Sequence, residues 1–129
     1  MVKPQSIMTI ISGGWSLLNR TSFTNGTITE INTSLVGQII YHPAGFMSAN
    51  TMSNNGSDQL SYAGRLSVRE DTPTTGRLTH GPLIQASELS WIGTDQHRDY
   101  ELFDHGKTLS LSATIDDGRV GVLFWEKLR

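Results

Sequence analysis

A chain of 129 residues has room for one domain, and a domain of that size hides roughly two thirds of its unfolded surface without needing staples. It contains no cysteine and carries a net charge of −2, so disulfides and cysteine-bound metals are excluded and nucleic acid is disfavoured as the main partner. Charged residues make up 17% of the chain, below the roughly 25% of ordinary domains. Ser, Thr, Asn and Gly take their place, a composition suited to short strands and tight turns.

Residues Met1 to Ile11 carry one lysine and a short apolar run from Ile7 to Ile11. That run is shorter than a signal peptide requires, and no segment approaches the roughly 20 apolar residues of a membrane span. The reading is an N-terminal extension (1–11) on a single domain covering 1–129, in a cytoplasmic protein. On that reading the Asn-x-Ser/Thr triplets at Asn19, Asn25, Asn32 and Asn55 are products of composition rather than glycosylation sites.

From Trp15 onward, period-two alternation recurs between turn signals, and no stretch sustains a helical period. Trp15 to Arg20 reads as a strand with Trp15, Leu17 and Asn19 on one face. Asn25-Gly26 then turns the chain, since both residues tolerate positive φ, and Thr27 to Asn32 returns. Gly37 to Tyr41 ends at the turn His42-Pro43-Ala44-Gly45. Phe46 to Met52 follows, with Met47, Ala49 and Thr51 on one face. A polar loop spans Ser53 to Asp58. Ser61 to Arg69 alternates cleanly, with Tyr62, Gly64, Leu66 and Val68 on the buried side. Asp71 to Gly76 turns into Arg77 to His80, where Leu78 and His80 face together and Pro82 predicts an edge or a bulge. Arg98 to Phe103 places Arg98, Tyr100 and Leu102 on one face. Asp104-His105-Gly106 leads into Thr108 to Ser112, and Asp116-Asp117-Gly118 into Arg119 to Trp125. Eight to ten short antiparallel strands predict an all-β barrel, which leaves few exposed edges.

Gly13-Gly14-Trp15 resembles the opening Gly-x-Trp signature of lipocalins. A wider pattern is similar to the small bacterial and fungal lipocalin-like domains. It comprises Gly37-Gln38-Ile39-Ile40-Tyr41, Gly45-Phe46-Met47-Ser48-Ala49, Tyr62-Ala63-Gly64, Thr79-His80, Trp91-Ile92-Gly93-Thr94-Asp95-Gln96 with Arg98 and Glu101-Leu102, and Leu123-Phe124-Trp125-Glu126. The chain departs from that pattern twice. Only Asn54 to Leu60 precedes the Tyr-Ala-Gly strand, and Gly81 stands where the family has a second histidine. The resemblance implies a lipocalin-like barrel related to cofactor-free cyclases and isomerases of natural-product pathways.

The alternation gathers Asn19, Tyr41, Tyr62, His80, Arg98 and Tyr100 on the inner face with Trp15, Ile39, Met47, Leu66, Val68, Leu109, Leu111, Leu123 and Trp125. An apolar cavity with a few convergent polar groups suits a small organic molecule. An inward arginine is costly unless it meets an acid, a carbonyl or a ligand. Arg98 therefore either polarises a substrate carbonyl, pairs with an acid such as Glu101, or closes the barrel floor against Trp15. His80 is the candidate acid or base, and Tyr62 a hydrogen-bond donor to a developing oxyanion. Tyr41, Tyr100, Asn19, Met47, Trp15 and Trp125 are expected to line the substrate, with Trp91 covering the mouth from a loop. His97 and His105 fall on the outer face and in a turn. No zinc-type histidine spacing, phosphate loop or nucleophile elbow is present. The expected function is a cofactor-independent isomerase or cyclase acting on a small hydrophobic natural-product intermediate. The alternative is a non-catalytic carrier of a hydrophobic metabolite, and a homodimer is compatible with either.

Overall fold

The computed structural model describes residues 6–53, 59–116 and 118–128. Asn54 to Asp58 of the expected polar loop, with the triplet at Asn55, lie outside the described residues, as does Asp117. A five-residue helix α1 (Ile7–Ile11) precedes nine strands: β1 (Gly13–Thr24), β2 (Thr27–Asn32), β3 (Val36–His42), β4 (Phe46–Met52), β5 (Gln59–Glu70), β6 (Thr75–Ala86), β7 (Gln96–Phe103), β8 (Thr108–Asp116) and β9 (Arg119–Lys127). Neighbours run β2-β1-β3-β4-β5-β6-β7-β8-β9. Strand β9 then pairs back onto β1 from Trp15↔Lys127 to Thr24↔Arg119, closing eight antiparallel strands into a barrel. Strand β2 stands outside that closure, bonded to β1 alone through residues 20–24.

Turn chemistry sets the hairpins. Asn25 and Gly26 both take positive φ, 51° and 83°, the geometry a two-residue hairpin turn demands. Around Pro82 the strand carries a bulge rather than ending. Strand β6 runs on to Ala86 through a cis Gly81–Pro82 peptide, and its register against β5 shifts at Gly64. A side chain at Gly64 would place its Cβ 2.5 Å from the Pro82 carbonyl oxygen, so the two strands approach closely only because this position is glycine. Beyond His80 the strand has left β7, and the connection through Leu89–Trp91 covers its free side, with Leu83 donating to Thr94 O and Gly93 to Leu83 O.

Inward alternation fills the lumen with Trp15, Leu17, Ile39, Tyr41, Met47, Tyr62, Leu66, Leu78, Tyr100, Leu109 and Trp125, all buried. The apolar run Ile7 to Ile11 belongs to this core instead of trailing from it. Ile7 and Ile11 are 2% and 0% exposed, and α1 plugs the end of the barrel at the β7–β8 turn, where Gly106 abuts Ile10. The plug is tied on by two residues. Trp15 Nε1 donates to Ile11 O at 2.9 Å, and Lys127 Nζ donates to Ile10 O and Ser12 O while lying 5.0 Å from the Trp15 ring centroid. Here Lys127, not Arg98, closes the floor against Trp15. Among the described residues, no helix is long and apolar enough to cross a membrane.

Replacing Lys127 with Met keeps the apolar stem over Trp15 and removes the charged donor to those two carbonyls. Urea unfolding is expected to show a loss of roughly 1–3 kcal/mol. An unchanged midpoint would mean the plug is held by the burial of Ile7 and Ile11 alone.

Candidate functional site

Three of the sequence-predicted residues meet at one point. His80 is fully buried, and its ring nitrogens face two phenols: Tyr41 Oη lies 2.7 Å from Nε2 and Tyr62 Oη 3.2 Å from Nδ1. They arrive from three strands, β3, β5 and β6, through the inward alternation of each. Burial, and next the charge of Arg98, lower the His80 pKa to about 3. The imidazole is therefore neutral, and one ring nitrogen donates while the other accepts. Burial likewise holds the Tyr41 and Tyr62 phenols above their ordinary range, with Arg98 pulling both back down. Three donor hydrogens are present, one on the ring and one on each phenol, and the two internal bonds use two of them. The third, on whichever phenol accepts from the ring, has no acceptor among the described residues. Trp91 packs edge-on against Tyr62, with centroids 5.4 Å apart, and so covers this side of the barrel.

Arg98 faces inward from β7, opposite Leu78, and stays half exposed at the end of the barrel away from α1. Glu101 lies on the outer face of the same strand and is exposed, so the pairing considered from the sequence does not form. The Arg98 hydrogen bond runs from Nη1 to its neighbour's carbonyl, His97 O, at 2.8 Å.

Asn19 requires a correction. The register of β1 against β9 slips by one residue between Leu17 and Asn19, so Leu17 faces Trp125, Asn19 faces Phe124 and Arg20 faces Leu123. Directly opposed residues share a face. Asn19 therefore turns outward with Phe124, where its Oδ1 accepts from Thr21, and Arg20 turns into the lumen instead. A single inserted residue that re-aims side chains is what a β-bulge does. Alternation alone carries no sign of it, and Arg20 was missed for that reason.

The remaining predicted residues scatter. The Tyr100 hydroxyl lies beside Gly76 near Glu70 and Asp71, remote from His80, and has no partner among the described residues. Trp15 belongs to the floor. Trp125 is buried opposite Leu17 and Leu109, and its indole N–H is also unpartnered. Met47 is buried between Tyr41 and Gly64 as an ordinary core residue. His97 is exposed and bonded to Thr79 Oγ1, and His105 is an exposed turn residue.

At the mouth, the end of the barrel away from α1 where Met52 and Gln59 lie, is a cavity of about 430 Å³. Its walls are Leu35, Leu60, Leu111 and Leu123, with Arg20 and Arg98 the charged residues among the described lining. No carboxylate is among them.

No protein-family model matches the chain, and no curated protein sequence matches it. Among solved structures it is similar to a redesigned β-barrel, at 15% identity and a TM-score of 0.55 over 97% of this chain and 100% of that one. That likeness establishes an antiparallel β-barrel and nothing finer.

The buried imidazole predicts an acid-sensitive fold. An ordinary histidine in the unfolded chain titrates near 6.5, whereas His80 in the barrel titrates at about 3. Between those values the unfolded chain binds the extra proton. The stability His80 contributes is thus complete above about pH 6.5 and lost as pH falls toward 3, at about 1.4 kcal/mol per unit. Urea unfolding across this window should show a steeper loss for the wild type than for His80→Gln. Parallel pH profiles would show that the ring is protonated without unfolding.

Proposed function

We propose that this protein is a cytoplasmic, lipocalin-like binding protein that holds a small, largely apolar organic molecule in its mouth cavity. The observation that carries this reading is the cavity itself: about 430 Å³, walled by leucines, at the end of the barrel away from α1. That volume falls within the range of small-molecule sites, and an eight-stranded barrel is wide enough for one such ligand.

A cofactor-free isomerase or cyclase is the second reading. One feature favours it: an inward cation, Arg98, whose field reaches the Tyr41–His80–Tyr62 group. Against it stands the chemistry of the lining. Proton-moving catalysis needs an acid or base within hydrogen-bond reach of the substrate. The described lining offers two arginines and no His, Asp, Glu, Lys or Tyr. His80 is not part of that lining; it is fully buried, with both nitrogens engaged. Binding is therefore the better supported function.

The neutral fluorophore N-phenyl-1-naphthylamine should bind saturably at one site, and Ala113→Trp, which fills the mouth, should weaken it about tenfold or more, the loss expected for displacing a well-filled apolar contact. Absence of saturable binding by the wild type would remove the proposal. For the catalytic reading, deuterium exchange beside the carbonyl of a small cyclic enone in D2O is the measurement. Arg98→Met should slow it about 10²–10³-fold if the guanidinium stabilises an enolate. No exchange above the uncatalysed rate would leave binding alone.

A further inference from the structure

Resting on the binding reading above, we infer that the mouth cavity selects an amphiphile with an anionic head, gripped between Arg20 and Arg98, over a neutral molecule of the same shape. The bulge in β1 brings Arg20 into the lumen, and β7 brings Arg98 from a different part of the wall, so two guanidinium groups face one space. The other polar side chains of the described lining, Asn32, Thr51, Ser53 and Gln59, are uncharged. Among the described residues each arginine is only partly engaged: Arg20 by one exposed ion pair and Arg98 by one backbone carbonyl. Arg20 Nε is buried without a partner among the described residues, and its Nη2 pairs with Glu30 on β2 at 3.4 Å, with the two side chains 41% and 59% exposed. Arg98 donates to a single backbone carbonyl.

A guanidinium carries five N–H donors in a planar fork that matches a carboxylate or sulfate. Of the donors on these two side chains, only Arg20 Nη2 and Arg98 Nη1 have a hydrogen-bond partner among the described residues. Glu30 meets Arg20 only at 3.4 Å and with both side chains exposed, so an anion seated between the two guanidinium groups would be attracted by both. The leucines that share the cavity with the arginines would receive a short tail. Head and tail are thus specified by different parts of the same cavity.

The test compares decanoate with 1-decanol by isothermal titration calorimetry on the full chain. Decanoate is expected to bind about tenfold tighter or more, a preference that high salt erodes while decanol is unaffected. Arg20→Met and Arg98→Met should each weaken decanoate about tenfold and leave decanol within about twofold. Circular dichroism checks the fold of each variant. If a variant does not fold, the wild-type preference and its salt dependence decide alone. Equal wild-type affinities, or folded variants that bind decanoate as before, would overturn the anionic selectivity and leave the binding reading standing. Failure of both probes to bind would remove the binding reading together with this inference.

Discussion

Pairing between β1 and β9 joins Trp15 to Lys127 across almost the whole chain, and the one residue inserted at Leu18 decides which side chains of β1 face inward. Below the insertion, Trp15 and Leu17 build the floor. Above it, Arg20 enters the mouth and Asn19 is turned out. The same pairing carries Lys127 to the place where its amine can bind the carbonyls of α1, so closure of the wall and closure of the floor are one event. Without the slip, an amide would stand where a cation stands, and the mouth would hold one arginine instead of two.

The interior divides into three chemical levels. The floor is apolar apart from the Lys127 amine. The middle holds a neutral imidazole between two phenols, a polar group that satisfies most of its needs internally and so can be buried. The mouth is apolar-walled and cationic. Arg98 links the upper two levels through its field, which helps keep His80 neutral. A cation over a buried imidazole opposes protonation from one side while desolvation opposes it from the other.

Much of this was legible from the sequence because it follows from period two. The strand at Ser61 to Arg69 put Tyr62, Gly64 and Leu66 inside, and Asn25-Gly26 marked the β1–β2 hairpin, since only certain residues accept those backbone angles. His80 and Tyr41 were placed on the inner face by the same rule. What alternation cannot convey is a change of phase. The bulge at Leu18 is invisible to it, which explains both the misplaced Asn19 and the unforeseen Arg20. Distance along the chain hid the rest. The Lys127–Trp15 contact and the burial of Ile7 and Ile11 depend on a terminus meeting its opposite, and a short apolar run near the start looks the same whether it trails or plugs.

Strand β1 is the hub of this topology, and its most extensive partner, β9, is synthesised after the other eight strands. Long-range pairing of this kind raises contact order and slows folding. During synthesis β1 has only β2 and β3 to bond with, over residues 20–24 and 13–16, and its β9-facing edge stays open until residue 127 has emerged. The β1–β2 hairpin thereby acquires a kinetic purpose separate from the barrel it adjoins. It occupies residues 20–24 on one edge of the hub strand early, by a two-residue turn, and so reduces the unpaired backbone that an incomplete chain would expose to its neighbours.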